Sequence, residues 1–375
     1  MSLLTVDTPS LILDETVMQR NIMRMNDQMR RLGVAFRPHL KTAKCRDVAR
    51  RQLLPERPMG TVSTLKEAEY FFDDGLTDMI YAVGIAPHKL PRIQALRDKG
   101  CDIKILLDNV ASAQLVSRYC LENRCSIPVL VEIDCDGHRS GIRPNDPALL
   151  DVASHLTDGA QLIGVLTHAG GSYDVHTPEL LLDRARQERD GIVTAARRLR
   201  RAGHEIDIVS LGSTPTALSA EDLTGVTEVR AGVYVFFDLF QRGVGVCTTD
   251  DIAVSLLVTV IGHQPEKGWV ITDGGWMALS RDRGTASQPD DCGYGLVCDV
   301  DGNLLEGLWV SGANQEHGII SNRSGAPLDP ERYPIGTRLR ILPNHACSTA
   351  AQHDRYVVID GNREIRAVWP RIHGW

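Results

Sequence analysis

The sequence predicts an α/β protein in two parts, a parallel (β/α)8 barrel and a mostly antiparallel β-domain. Between about residues 30 and 240, eight short apolar runs alternate with amphipathic, helix-like segments, and eight strands are the number that closes a parallel barrel. After about residue 245 the alternation gives way to β-rich runs separated by Gly, Asn and Asp turns, as in an antiparallel domain. We therefore expect the barrel to span residues 15–245.

The N-terminal run SLLTVDTPSLILD is strand-like, and we expect it to return to the second part, so that residues 1–14 and 246–375 form the β-domain. The predicted barrel strands are VAFRPHLK, GTVST, DMIYAVG, DIKILLD, VLVEID, LIGVLTHAG, IDIVSLGS and EVRAGVYVF. An open, doubly wound sheet would also alternate in this way, but its strand order would reverse at a switch point, which we cannot locate here.

Bulk composition excludes several classes of function. The chain has 375 residues and a net charge of −7, which gives no electrostatic reason to expect a nucleic-acid partner. No apolar run reaches the roughly 20 residues needed to span a bilayer, so no membrane association is expected. The N-terminus lacks the basic and apolar regions of a signal peptide, and the nine cysteines show no disulfide framework. These features favour a cytoplasmic protein.

Candidate catalytic residues follow the predicted barrel strands, because barrel active sites form at the C-terminal ends of strands. These residues are His39, Lys41 and Lys44 after the first strand, Asp136, His138 and Arg139 after the fifth, and His168 and Tyr173 after the sixth. Lys41 could bind a phosphate, lie at the surface, or form a Schiff base, which a buried lysine of depressed pKa does readily.

The segment GSTPT after the seventh strand is a candidate phosphate site. Gly212, Ser213 and Thr214 combine backbone N–H groups with two hydroxyls at the expected start of a helix. A plain strand-to-helix turn with a capping serine would have the same sequence, so both interpretations stay open at this point.

The C-terminal segment ILPNHACSTAAQHD carries possible metal ligands. His345 and Cys347 are two residues apart, and on a strand that spacing would put both side chains on one face. Imidazole and thiolate are a zinc-type pair. His353 and Asp354 could be further ligands or could belong to a polar turn.

Several of these motifs occur together in the order of a known family. They are TPSLILD, RPHLK, EIDCDGHRSG, THAGGSY, LGSTPT, EVRAGVYVFFD and ILPNHACSTA. In them the sequence resembles the fold-type III pyridoxal-phosphate enzymes of the D-serine dehydratase and D-threonine aldolase family. The resemblance covers nearly the whole chain and implies an alanine-racemase-like barrel followed by a β-domain.

The resemblance also implies roles for individual residues. Lys41 would hold pyridoxal 5'-phosphate as a Schiff base, with Arg139 near the phenolic oxygen of the cofactor and Tyr173 near its ring. His168 would contact the cofactor or support the site, and we expect Lys41, Tyr173 and His168 to be the catalytic residues. The residues implied around the phosphate are Gly212, Ser213, Thr214, Gly232, Val233 and Tyr234. His345 and Cys347 would bind a divalent metal, which could be zinc, manganese or cobalt.

The function implied is β-elimination from a D-3-hydroxy amino acid, with D-threo-3-hydroxyaspartate giving oxaloacetate and ammonia as the expected reaction. A second substrate carboxylate needs a cation, for which Arg281 and Arg283 are candidates unless they are ordinary surface arginines. His317 resembles a residue near the site, whereas Trp276 is expected in the core or an interface. Relatives form their active sites at a dimer interface, so we expect a homodimer.

Other reactions remain open. D-threonine aldolases use the same arrangement for retro-aldol cleavage to glycine and an aldehyde, but carry Asp at the position of Cys347 and His in the region of Tyr173 and Asp174. A D-serine dehydratase is a second alternative. A protein that only carries the cofactor would not need a metal pair, and a racemase would need a second base that we cannot assign.

Overall fold

The computed structural model describes residues 2–375 and divides into two compact units. One unit contains the chain up to Met23 together with Val233–His373, and the other contains Arg24–Gly232 with the last two residues. The first strand, β1 (Ser10–Asp14), leads directly into the first helix, α1 (Glu15–Leu32), and the division between the units falls inside that helix.

The second unit is a closed parallel barrel, as the sequence predicted. Its strands are β2 (Ala35–Phe36), β3 (Met59–Val62), β4 (Asp78–Gly84), β5 (Asp102–Leu107), β6 (Ile127–Ile133), β7 (Ala160–Thr167), β8 (Ile208–Leu211) and β9 (Glu228–Val229). Every neighbouring pair is parallel, in the order β2-β9-β8-β7-β6-β5-β4-β3. A parallel bridge between His39 and Thr61 joins the two ends of this order and closes the barrel.

Helices follow the barrel strands. They are α2 (Arg46–Gln52), α3 (Leu65–Phe72), α4 (Leu90–Asp98), α5 (Val110–Asn123), α6 (Ala148–Ser154), α7 (Pro178–Arg201) and α8 (Thr214–Ser219). The longest, α7, begins where the Thr177 side chain accepts the N–H of Leu180, with Pro178 at the first helical position. That arrangement satisfies an otherwise unpaired amide and fixes the start of the helix.

The barrel interior is layered. Ile80, Leu106, Leu130 and Leu166, on four successive strands, form an apolar cluster. Alternate residues of a strand point to the same face, so residues two positions further along these strands also point inward, towards the C-terminal end. This is where the sequence placed the candidate active site.

The rest of the other unit is β-rich. Its elements after residue 232 are α9 (Leu239–Val244), β10 (Val254–Gln264), β11 (Trp269–Thr272), α10 (Trp276–Leu279), β12 (Leu296–Cys298), β13 (Leu304–Ala313), β14 (Gly318–Asn322), β15 (Arg338–Leu342), α11 (Ala346–Ala350), β16 (Arg355–Ile359) and β17 (Ala367–Pro370). One nine-stranded sheet runs β11-β14-β13-β12-β15-β10-β1-β16-β17, and only the β1–β16 pair is parallel.

Strand β10 shows how this sheet is stabilised. Leu256, Val258 and Val260 belong to one buried cluster, whereas Leu257 lies in another with Ile12. The alternation means that the sheet buries apolar side chains on both faces. No helix in the part of the chain that the structure describes is long and apolar enough to cross a membrane.

Candidate active site

Lys41 lies just beyond β2, at the C-terminal end of the barrel, and its side chain is exposed. Its backbone N–H is 3.5 Å from Nδ1 of His39, which is itself buried. Burial, together with the nearby charges of Lys41 and Arg230, holds the pKa of His39 well below its usual range. His39 is therefore neutral, and Lys41 is a primary amine at the open end of the barrel.

His168 follows β7 at the same end of the barrel. Its Nδ1 is 2.9 Å from the carbonyl oxygen of Gly212, and because a carbonyl can only accept, Nδ1 carries the proton. Burial lowers the pKa of His168 to about 3, so the ring is neutral and its Nε2 has a free lone pair. The ring of Tyr173 lies 6.0 Å from that of His168, centroid to centroid.

The segment after β8 is both the capping turn and the candidate phosphate loop that the sequence left open. Ser213 caps α8: its hydroxyl accepts the N–H of Thr216, and the Thr216 hydroxyl accepts the N–H of Ser213. Ser213 and Thr214 are almost completely buried. The loop is thus a rigid frame that presents hydroxyl-bearing residues.

At two glycines of the predicted phosphate site the neighbouring atoms approach closely, and at Gly212 they exclude a side chain. A Cβ on Gly212, which has a φ of +138°, would lie 2.1 Å from the carbonyl oxygen of Arg230. A Cβ on Gly232 would lie 3.0 Å from the hydroxyl of Thr42. The turn that follows Gly232, Val233–Val235, is a buried 3-10 helix that contains the predicted residues Val233 and Tyr234.

Arg139 is held only loosely in this structure. Its guanidinium is 3.6 Å from the carboxylate of buried Glu132, and its side chain is 60% exposed. Its charge contributes to the low pKa of His168, which places it among the groups at this end of the barrel. The structure therefore brings Lys41, His168, Arg139 and Gly212 to one end of the barrel, where they fit a phosphorylated, carbonyl-bearing cofactor.

His345 and Cys347 do form a pair, but not on a strand as the sequence analysis expected. His345 is the N-cap residue of α11 and Cys347 lies in the first turn of that helix. Burial opposes protonation of the ring, but the Cys347 thiol and the Asp282 carboxylate outweigh it and raise the pKa of His345 to about 11. The imidazole and the thiol therefore face each other, as two ligands of one metal ion would.

Two aspartates fix this pair. Asp282 accepts the Nδ1–H of His345 at 2.6 Å, which leaves Nε2 as the ligand atom. Asp238 is buried and accepts the backbone N–H of Ala346 at 2.8 Å, which anchors the residue between the two ligands. No group of three or more His, Cys, Asp or Glu side chains in residues 2–375 is arranged to hold a metal. A metal here would complete its coordination with water or substrate.

The other candidates make contacts of their own. His353 donates from Nε2 to the carbonyl of Ala278, and Asp354 is exposed and pairs with Arg355, so neither faces the pair. Arg283 pairs with Asp291, and the Arg281 guanidinium lies over the ring of Trp276, 5.2 Å from its centroid. His317 is exposed at the turn between β13 and β14.

Three residues of these sites were missed by the sequence analysis. Arg230 is completely buried in the barrel and donates to the Ser210 hydroxyl and the Thr167 carbonyl. Glu188 lies on α7 behind the phosphate loop, and Asp282 contacts His345 from 63 positions earlier in the chain. The sequence analysis included the strand EVRAGVYVF, which contains Arg230, and the neighbours of Asp282, Arg281 and Arg283, but it singled out none of these three side chains.

The chain is similar to known proteins over its whole length. Two family descriptions match: "Alanine racemase, N-terminal domain" over residues 13–239 and "Putative serine dehydratase domain" over residues 253–359. The chain is 53% identical to the D-threo-3-hydroxyaspartate dehydratase of Delftia sp. (strain HT23), covering 100% of this chain and 99% of that one. It is 31% identical to the D-serine dehydratase of Dictyostelium discoideum, covering 96% of this chain and 95% of the relative.

Solved structures of related proteins have the same fold as this chain. The solved structure of the Delftia dehydratase superposes on this chain with a TM-score of 0.98 and covers 100% of both chains. The D-threonine aldolase of Filomicrobium marinum is 26% identical and superposes with a TM-score of 0.82, covering 99% of this chain and 96% of the aldolase. Two further solved structures, each 53% identical to this chain, are a His→Ala and a Cys→Ala mutant of a D-threo-3-hydroxyaspartate dehydratase, and the altered residues are two positions apart. The Cys→Ala mutant is in the metal-free form.

Proposed function

The chain belongs to the D-serine dehydratase family of alanine-racemase-like enzymes, and from this premise we propose that it is a dehydratase of D-3-hydroxy amino acids. The proposed substrate is D-threo-3-hydroxyaspartate, the proposed products are oxaloacetate and ammonia, and the proposed cofactors are pyridoxal 5'-phosphate and a divalent metal. The observation that carries the proposal is the facing imidazole and thiol of His345 and Cys347, in a chain that matches the Delftia dehydratase over its full length.

The barrel residues would hold the organic cofactor. Lys41 supplies the amine, the segment from Gly212 to Thr214 supports the phosphate, and Tyr173 flanks the ring together with His168. When bound, pyridoxal phosphate supplies an electron sink for the pair of electrons left at Cα, and the divalent metal supplies a Lewis acid for the departing hydroxide.

The amine of Lys41 is the proposed base that takes the proton from Cα of the substrate. Since burial keeps His39 and His168 neutral, neither ring competes as a charged acid beside it. Loss of the Cα proton and the β-hydroxide removes one water, and the enamine that is released takes up water to give the oxo acid and ammonia. The overall reaction therefore consumes no oxidant and no second substrate.

The metal ligands would be Nε2 of His345 and the thiolate of Cys347. The mutant dehydratase structures support this, because the Cys→Ala mutant is in the metal-free form and the altered His and Cys have the same spacing as the pair here. A thiolate and an imidazole favour zinc, although cobalt and manganese bind related sites.

We also propose a cytoplasmic homodimer. All nine cysteines are free thiols in the structure, which suits a reducing compartment. The oligomeric state can be measured by size-exclusion chromatography with light scattering, where a monomer at micromolar concentration would contradict the proposal.

The function is tested by incubating the purified protein, with pyridoxal phosphate and a divalent metal, with D-threo-3-hydroxyaspartate, D-serine and D-threonine separately. Ammonia, oxo acid and aldehyde are measured with and without a chelator. We expect ammonia and oxaloacetate from the first substrate, abolished by the chelator and by Lys41→Ala. Glycine with an aldehyde, and no ammonia, would identify an aldolase instead.

A further inference from the structure

Glu188 is a completely buried carboxylate inside a helix whose other charges face solvent. Its neighbours along α7, Arg189 and Asp190, pair with each other at the surface. A buried glutamate is costly unless its oxygens are hydrogen-bonded, and burial does raise the pKa of Glu188 to about 7. The hydrogen bonds that its two oxygens accept offset this cost.

The contacts of Glu188 join two strand ends of the barrel. One oxygen, Oε1, accepts the backbone N–H of Ala169 at 2.8 Å and that of Gly212 at 3.1 Å. The other, Oε2, accepts the hydroxyl of Thr216 at 2.6 Å. One carboxylate therefore ties the residue after His168 to the start of the GSTPT loop and to the helix that follows it.

Gly212 is held from both sides by this arrangement. Its N–H donates to Glu188, and its carbonyl accepts from Nδ1 of His168. The Thr216 hydroxyl that donates to Glu188 also accepts the N–H of Ser213, and the hydroxyls of Ser213 and Ser172 lie 2.8 Å apart. The orientation of the Ser213 hydroxyl therefore depends on a chain of hydrogen bonds that begins at Glu188.

We propose that Glu188 is a positioning residue for the cofactor phosphate: by holding Gly212, Ala169 and Thr216, it sets the geometry in which the loop from Gly212 to Thr214 receives the phosphate group. The inference rests on the proposed function, because the phosphate is that of pyridoxal 5'-phosphate. It adds a residue that itself makes no contact with the cofactor and acts through the loop.

The test compares two ligands that differ only by the phosphate. Cofactor-free, full-length protein is titrated with pyridoxal 5'-phosphate and with pyridoxal. The dissociation constant of pyridoxal divided by that of pyridoxal 5'-phosphate measures what the phosphate contributes to binding. In Glu188→Ala we expect this ratio to fall by about ten-fold or more, the size expected when buried donors lose their acceptor. A general loss of structure would weaken both ligands equally and leave the ratio unchanged.

Conservative variants sharpen the test. Glu188→Gln keeps an oxygen for the two backbone N–H groups and an amide that can donate to Thr216, so we expect its ratio to stay within about three-fold of the wild type. Should Glu188→Ala not fold, Glu188→Asp replaces it, because the shorter side chain cannot reach all three donors and should also lower the ratio.

Glu67 offers a matched control. It is equally buried in the same unit, where it accepts the N–H of Ser63 and pairs with Lys44, and it makes no bond to the phosphate loop. Glu67→Ala should lower stability but leave the ratio unchanged.

The outcomes separate the two proposals. An unchanged ratio in both Glu188→Ala and Glu188→Asp would overturn the positioning role while leaving the proposed function intact. A wild type that binds neither pyridoxal compound would overturn the proposed function itself.

Discussion

Oδ2 of Asp282 lies 2.6 Å from Nδ1 of His345, and the hydroxyl of Ser348 donates to the same oxygen at 3.1 Å. A carboxylate that accepts the Nδ1–H of a ligand histidine fixes its tautomer and ring orientation and makes Nε2 a better metal ligand. The candidate metal pair is thus preorganised by a residue from a different part of the β-rich unit.

Removing that carboxylate should weaken metal binding. In Asp282→Ala we expect the dissociation constant for zinc to rise by about 10- to 100-fold, as for other outer partners of ligand histidines. Competition with a chromophoric chelator measures it without any assay of activity. Asp301→Asn is the control, because Asp301 is an exposed carboxylate paired with Arg363. Equal zinc affinity in Asp282→Ala and wild type would contradict the assigned role.

Exchange of the thiolate should change which metal is preferred. In Cys347→Asp a hard oxygen ligand replaces a soft sulfur, so we expect the affinity for zinc relative to manganese to fall by about ten-fold or more. The ratio of the two dissociation constants is the measurement, and Cys347→Ser, which offers a poor ligand, should weaken both metals. A zinc-to-manganese ratio that is the same in Cys347→Asp and wild type would show that Cys347 is not a ligand.

The parts of the fold and of the candidate site that the sequence predicts are those set by residues close together in the chain. The barrel was predicted correctly because each strand-helix unit carries its own apolar pattern, and Lys41 and His168 stood out because strand ends converge at one end of a barrel. Strand geometry for His345 and Cys347 was wrong. The segment ACSTA is a single turn of small residues whose helical state depends on the Asp238 carboxylate that accepts the N–H of Ala346.

The residues that the sequence analysis missed contact partners that are far from them in the sequence. In the run DRARQERDG, nothing local distinguishes the buried Glu188 from the partly buried Arg189 or the exposed Asp190, because only the packing of α7 against the barrel decides which charge is enclosed. The same holds for Asp282, which is 63 residues from His345. Such contacts are set by tertiary structure, which hydrophobic periodicity does not record.

Substrate choice should depend on Arg281 rather than on Arg283. Arg283 is already paired with Asp291 and lies over the Tyr294 ring, whereas Arg281 is exposed beside Asp282. In Arg281→Gln we expect kcat/KM for D-threo-3-hydroxyaspartate to fall by about ten-fold or more, the worth of one hydrogen bond to a charged group, with turnover of D-serine unchanged. A parallel loss for both substrates, or a selective loss only in Arg283→Gln, would contradict this assignment.

The barrel should be sensitive to loss of the buried ion pair of Arg37. The guanidinium of Arg37 is enclosed and contacts the carboxylates of Glu228 and Asp78. In Glu228→Ala the buried cation loses one partner, so we expect the free energy of unfolding to fall by about 3–5 kcal/mol. Urea unfolding measures it, with the exposed pair of Arg92 and Glu69 as control, since Glu69→Ala should cost under about 1 kcal/mol. Equal losses in the two variants would show that burial does not matter here.

The acid stability of the barrel should depend on His168. Burial lowers the pKa of His168 to about 3, whereas in the unfolded chain it is near 6.5. Between these values the unfolded state binds one proton more than the folded state, so this residue's contribution to the free energy of unfolding is complete above pH 6.5. It declines by about 1.4 kcal/mol for each pH unit below that value.

His168→Asn isolates this effect, because the amide nitrogen of asparagine takes the place of Nδ1 and can donate to the Gly212 carbonyl but does not titrate. Urea unfolding of the cofactor-free wild type and variant between about pH 5 and 8 should give a constant difference above pH 6.5 and, below it, a wild-type stability that falls faster than that of the variant. Subtracting the variant's curve removes the titration of every other group that the substitution leaves unperturbed. Parallel curves over the whole range would mean that the pKa of His168 in the folded barrel is close to its value in the unfolded chain, so that its neutral ring could compete with Lys41 as a base.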